Sequence, residues 1–394
     1  MKIMKKLSVF LMGIFALTMM ASCSSSDDNS AGGSTGLKEG VTKTLTLKIS
    51  GNGTGRASAA VASGSEATIN EMIVVIYDNS SNKVEGITKI TSPSVNANTI
   101  TQTVHFTTTT PSVFVLANVP MNVADAAIGQ NLETFKNVLA DLDVTVAGDG
   151  LSQVSNHLPM VGSTSTLTNV AENSFTASVT LHRMVARVVL NSITTNFSNG
   201  ESFTVTDVFM KNVNSKSSFM HSDIAAEAGT FATLKGFPTV NILVDGLEAD
   251  GSKAWLTNSY ATTAWSNGTP AYFYVFPNNN TVFAQQTQIV IKGKFINGEH
   301  QAPGVDRYYV AVVNRAPDAD GKITYIDSPD AGTGAILGNR IYEIAATITG
   351  EGQTPSDVEA DVDPIPAGQN NVELTVSIAD WPVAIRQNVN FTGN

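Results

Sequence analysis

A single cysteine, Cys23, in a chain of 394 residues rules out an internal disulfide, so stability has to come from packed cores or from assembly. Charge is scarce and leans acidic: 34 Asp and Glu stand against 23 Lys and Arg, a net charge of −11. That balance argues against nucleic acid and against an anionic membrane surface as partners, because both select basic patches. The five histidines, His105, His157, His182, His221 and His300, include no pair at metal-ligand spacing and no HExxH. GxSxG, SxxK with its companion motifs and a phosphate-binding glycine loop are missing as well. Asp318-Ala319-Asp320-Gly321 has the start of a calcium loop but neither the third acidic ligand nor the closing glutamate, which makes a polar turn the simpler reading. Neither an enzyme nor a cofactor nor a metal site is expected.

Present instead are threonine, serine, valine, glycine and asparagine in quantity, with 42% apolar residues, a composition for strands and turns. At the N-terminus, Lys2, Lys5 and Lys6 precede an apolar run of 14 residues, Leu7 to Met20, and the small pair Ala21-Ser22 stands before Cys23. The run falls short of the roughly 20 residues a transmembrane helix needs. The layout resembles a bacterial lipoprotein signal, with cleavage between Ser22 and Cys23 and a lipid on Cys23. Ser24 to Gly36 is a polar tether, and its start, Ser24-Ser25-Ser26-Asp27-Asp28, resembles the acidic export signals of Bacteroidetes surface lipoproteins.

Val41 to Ile49 alternates as a strand does: Val41, Leu45, Leu47 and Ile49 share one face, interrupted only by Lys43. A run of small residues, Gly51 to Gly64, follows with Arg56 alone in it, one unambiguous site for a trypsin-like protease. Ile69 to Asp78 is almost continuously apolar, the mark of a strand buried on both faces. Ile100 to Phe106 and Ser112 to Leu116 read as strands, and Asn131 to Asp141 as a short amphipathic helix. Phe175 to Leu190 is long enough to cross from one domain to the next, with a boundary near Arg187. Further strands are expected at Ser202 to Asn212, Val240 to Val244, Ala271 to Phe276, Val282 to Phe295, Tyr308 to Val313 and Ile341 to Ile348. Their polar turns suit antiparallel sandwiches.

After Gly352 an acidic, proline-punctuated stretch reads as an extended linker leading to a tail. In that tail Val372, Leu374, Val376 and Ile378 form one apolar face; past Asp380 the phase shifts, and Trp381, Val383, Ile385, Val389 and Phe391 take over. Fully extended at about 3.3 Å per residue, such a tail reaches some 65 Å and can leave its own subunit.

The order of these features resembles the fimbrillins, or type V pilins, of Bacteroidia. Phe114 to Pro120 (FVLANVP), Leu158 to Gly162 (LPMVG), Leu181 to Leu190 (LHRMVARVVL), Tyr272 to Asn278 (YFYVFPN) and Gly338 to Gly352 look like family signatures in sequence order. The resemblance implies an all-β chain of two transthyretin-like β-sandwich domains, 57–187 and 188–352, behind a signal (1–22) and a propeptide (23–56) and ahead of the tail (353–394). It further implies cleavage between Arg56 and Ala57 by an Arg-specific protease, loss of the propeptide strand carrying Val41, Leu45, Leu47 and Ile49, and its replacement by a neighbour's tail. The expected partners are other copies of the chain and other fimbrial subunits, with a host or bacterial surface receptor unidentified. The expected location is a cell-surface fimbria, reached by an outer-membrane lipoprotein exported through the periplasm. Processing leaves 338 residues and, by removing seven basic and three acidic residues, a net charge of −15. An anchor, accessory or tip subunit is the alternative within the family. A glycan-binding lipoprotein using Trp255, Tyr260 and Trp265 is the alternative outside it.

Overall fold

The computed structural model describes residues 41–51, 66, 68–93, 99–124, 127–136, 139–141, 157–214, 216–219, 233–238, 271–317, 323–325, 336–364 and 372–380. The chain is all-β, with sandwich-like sheets. Its first strands are β1 (Val41–Gly51), β2 (Glu71–Asp78), β3 (Lys83–Thr91), β4 (Thr99–Phe106) and β5 (Pro111–Ala117). A short helix α1 (Leu132–Lys136) precedes β6 (Leu139–Asp141), β7 (Met160–Thr164), β8 (Leu167–Ala171) and β9 (Ser174–Arg183). These strands build a sheet of order β3-β2-β5-β7-β9-β1-β4, with β8 also paired to β9 and β6 lying outside it.

The later strands are β10 (Ala186–Thr195), β11 (Ser202–Asn214), β12 (Lys216–Ser218), β13 (Thr233–Pro238), β14 (Ala271–Val275), β15 (Gln288–Ile296) and β16 (Val305–Val312). After them come β17 (Arg315–Pro317), β18 (Ile323–Tyr325), β19 (Arg340–Ile348), a helical turn α2 (Pro355–Glu359) and β20 (Val372–Asp380). Eight of them form two four-stranded sheets, β14-β10-β19-β20 and β13-β11-β15-β16, while β12 pairs with β6 and β17 with β18.

Period-two alternation explains how the sheets stack. In β2, Met72, Val74 and Ile76 enter one apolar core, while Ile73, Val75 and Tyr77 enter another. Its neighbour β5 splits likewise, Val113, Val115 and Ala117 against Phe114 and Leu116. A strand wet on neither face needs no polar positions, which is why Glu71–Asp78 reads as a nearly unbroken apolar run. The larger core continues into the later sheets through Val188, Met210, Phe273, Ile291 and Ile344.

Four readings from the sequence change in the structure. The run Phe175 to Leu190 is two strands, parted at Met184-Val185, both buried. The helix expected to Asp141 stops at Lys136, because Leu139–Asp141 pairs with β12. Val282 to Phe295 opens with a 3-10 turn, Phe283–Gln285, before β15 begins. The stretch after Gly352, expected to be an extended linker, is a docked strap carrying α2. Thr354 caps α2 in a reciprocal arrangement with Asp357, and Pro355 supplies the preset first turn. Val240 to Val244 lies outside the described residues.

Candidate assembly groove

β1 is an interior strand. It pairs antiparallel with β4, from Val41 opposite Phe106 to Lys48 opposite Thr99, and parallel with β9, from Thr44 opposite Ser174 to Gly51 opposite Leu181. Leu45 and Leu47 are fully buried among Ile100, Val104, Phe106, Ala177, Val179 and Leu181. Burying each leucine contributes about 1.5–3 kcal/mol. On the opposite face Thr42, Thr44 and Lys48 are exposed. Val41 and Ile49 occupy the ends of the same strand.

Lys43 breaks the apolar phase, and the structure supplies its surroundings. Its Nζ stands 3.8 Å from the centre of the Phe106 ring and 5.4 Å from that of Phe175; the two rings meet edge to face at 5.3 Å. Burial holds the ammonium below its ordinary range, and attraction from Glu85 opposes that. The Glu85 carboxylate accepts from the backbone N–H groups of Thr107 (2.9 Å) and Thr108 (2.8 Å), immediately after Phe106.

The walls of the slot are secured independently of β1. Among the described residues β1 is the only ladder partner of β4. Yet β3 lies against it: the carbonyl oxygen of His105 is 2.1 Å from where a Cβ on Gly86 would stand, an approach only glycine permits. Asp78 adds a further tie at the same corner, accepting from the Thr108 hydroxyl at 2.6 Å and from the Ser80 and Ser81 N–H groups. These bonds, that of Thr108 first, hold its carboxyl below the usual range. On the other side β9 is paired to β7 and β8. Removing β1 would therefore leave a bounded, apolar slot with two unpaired edges.

Downstream of the Arg56 segment the chain is pinned by Glu66. Its buried carboxylate binds Arg187 Nη1 at 2.8 and 3.0 Å and accepts from the Tyr274 hydroxyl at 2.7 Å, while its carbonyl accepts from Arg183 Nε at 3.0 Å. Burial pulls the Arg183 guanidinium down to about 10, with Glu66 opposing.

At the other end, the strap is held by buried basic groups. Lys211 Nζ pairs with Asp361 and donates to the Val358 carbonyl at 3.1 Å, and Arg315 binds Asp363 through both terminal nitrogens at 2.9 and 2.7 Å. Val358 is buried against Phe209, Val290, Tyr308 and Val310. Val372, Leu374, Val376 and Ile378 lie in β20, which pairs antiparallel with β19 from Ile348 opposite Val372 to Arg340 opposite Asp380. Trp381, Val383, Ile385, Val389 and Phe391 lie outside the described residues, as do Ser22, Cys23, Arg56, Ala57, Asp318 to Gly321, Trp255, Tyr260 and Trp265. Among the described residues no cluster of His, Cys, Asp and Glu could hold a metal ion.

Three groups escape a reading of the sequence: the Phe106–Phe175 pair, the Glu66–Arg187 pair and the strap's ion pairs. The strap alone left a local signal, the Thr354-Pro355-Ser356-Asp357 capping pattern.

The chain is thus an all-β protein of sandwich-like sheets in which an early strand lies in the interior of its sheet, between β9 and β4. Residues 43–228 match the family model described as major fimbrial subunit protein (FimA). Over that stretch, a little under half of the chain, the sequence is similar to the fimbrillins. No curated protein matches it. Solved structures share the fold. A Porphyromonas gingivalis fimbrillin (FimA) is 18% identical with a TM-score of 0.55, covering 87% of this chain and 98% of that one. A Parabacteroides distasonis protein with a proposed role in cell adhesion is 19% identical with a TM-score of 0.57, over 89% and 99%.

Proposed function

We infer that the chain is a polymerising fimbrial subunit assembled by protease-triggered donor-strand exchange. It is exported through the periplasm as a lipoprotein, cut between Ser22 and Cys23 and lipidated on Cys23, then cut between Arg56 and Ala57 at the surface by an Arg-specific protease. The observation that carries this reading is the place of β1: interior, bonded on both edges, with Leu45 and Leu47 fully buried, and joined to the remainder through the segment that contains Arg56. Cutting that segment frees β1 from its covalent tie. The Glu66 cluster supports retention of everything downstream.

The vacated slot, an apolar groove with open edges, is association-prone. A neighbour's tail fills it by strand addition. Because tail and slot are different surfaces, the contact is head to tail and propagates as a filament. β20 already pairs with β19, so Trp381, Val383, Ile385, Val389 and Phe391 are the residues first available to donate; Val372, Leu374, Val376 and Ile378 follow if β20 leaves its sheet. With a processed net charge of −15, assembly rests on apolar burial rather than on charge pairing. Such a fimbria serves adhesion or biofilm formation.

The test is light trypsin digestion of the chain expressed without its signal, followed by electrophoresis for SDS-resistant ladders. Ladders are expected from the cut protein, but neither from Arg56→Ala nor from a truncation ending at Gly368. A cut protein that stays monomeric, or a truncated one that polymerises equally well, overturns the reading.

A further inference from the structure

An apolar slot flanked by backbone edges accepts almost any strand with alternating apolar side chains, so preference among strands has to come from a feature that does not repeat. Lys43 is that feature. It stands in the inward phase of β1, two residues before Leu45, where an aliphatic residue would continue the pattern. A lysine at such a position normally costs stability through desolvation. Here its ammonium is covered by two aromatic faces, Phe106 at 3.8 Å and Phe175 at 5.4 Å.

The rings are placed for this. Phe106 is fully buried on β4 opposite Val41, and Phe175 is half-buried on β9 opposite Leu45, so both reach Lys43 on the diagonal. Glu85, bonded to the two residues that follow Phe106, adds negative potential at the same end of the slot.

We propose that Phe106 and Phe175 form a cation subsite of the groove, which recognises a strand by a basic side chain two residues ahead of its first buried aliphatic residue and so favours β1 over the chain's own tail. The inference rests on the groove reading above. In the tail, Val372, Leu374, Val376 and Ile378, and then Trp381, Val383, Ile385, Val389 and Phe391, supply the apolar phase, with no basic residue among them. Arg386 is the only basic residue after Arg340, and it falls on the opposite phase from Ile385. With its apolar face inward, the tail therefore leaves the subsite without a cation. The precursor is locked by the better-fitting strand, and a donor with a basic residue in phase would outcompete a copy of this chain.

The experiment uses the full chain without its signal, cut after Arg56. Labelled synthetic peptides of residues 41–51, carrying lysine, arginine or norleucine at position 43, exchange into the slot in competition with a peptide of residues 371–391. The lysine and arginine peptides should compete about 2–30-fold better than the norleucine peptide, the range of one partly desolvated cation–π contact. In Phe106→Leu, and separately in the half-buried Phe175→Leu, that ratio should shrink toward one. Equal or better binding of norleucine, or a ratio unchanged in both variants, overturns the subsite while leaving the groove standing. If no peptide enters the slot at all, the groove reading itself fails.

Discussion

Replacing Leu47 with alanine tests whether β1 is the strand that the proposed exchange displaces. Leu47 is fully buried on β1, opposite Ile100 on one side and Ala177 on the other. Truncating such a leucine costs about 2–5 kcal/mol, through lost transfer energy and the cavity left behind. The whole of that cost falls on the form in which β1 occupies its slot. At about 1.4 kcal/mol per factor of ten, 3 kcal/mol raises the population with β1 displaced by roughly a hundredfold. Hydrogen exchange in the uncut Arg56→Ala background reads this directly, because β1 is the ladder partner of Thr99–Phe106 in β4. Those amides should exchange about a hundredfold faster in Leu47→Ala, while β2 and β5 keep their protection. After cutting and loss of the propeptide, the same substitution should change neither stability nor ladder yield. Equal destabilisation of the cut and uncut forms, or unchanged exchange in β4, refutes the reasoning. Leu45→Ala should behave alike, although the two sit side by side on one face and their costs will not simply add.

Glu66→Ala leaves the buried Arg187 guanidinium without its carboxylate and should cost about 3–5 kcal/mol in a denaturant titration. Gly162→Ala puts a Cβ 2.2 Å from the Thr180 carbonyl oxygen, so the β7–β9 joint must open, and a fall in melting temperature with about 1–3 kcal/mol lost is expected. At alkaline pH the fold should fail in a defined window. Burial pushes the Tyr342 phenol up to about 12 and raises Tyr308 and Tyr309 as well. A raised folded-state pKa contributes stability that is fully present below the unfolded value near 10 and is lost as pH climbs through the folded one. Phenolate absorbance and the loss of β circular dichroism should therefore rise together between pH 10 and 12. Ionisation of these tyrosines in a still-folded protein would contradict the assigned burial.

Much of the scaffold is legible in the residues because alternation is a local signal. β1, β2, β4, β5, β11, β14, β16 and β19 each fall within or beside a stretch whose apolar period announces it. β3 and β8 do not. Lys83–Thr91 carries Gly86 and Lys89 within its pattern, and Leu167–Ala171 is exposed along most of its length. They are strands because their neighbours supply hydrogen bonds, a tertiary effect that overrides propensity. The buried ions were hidden for the opposite reason. Nothing local links Glu66 to Arg187, and only the fold brings positions 121 residues apart within 2.8 Å. Lys43 was visible as an irregularity in an otherwise apolar face, but its aromatic neighbours come from two other strands. The strap shows how a composition argument goes astray: acidic residues and prolines suit a free linker, whereas here the acids meet buried Lys211 and Arg315.

The double pairing of β1 also has a mechanical meaning. A strand held along both edges and pulled along its own axis loads all its hydrogen bonds in shear, so they must give way together rather than open one after another from an end. Any tail that takes the place of β1 between β4 and β9 inherits that geometry and a single permitted direction. A fibre joined in this way has a head and a foot, and it is strongest against tension along its length.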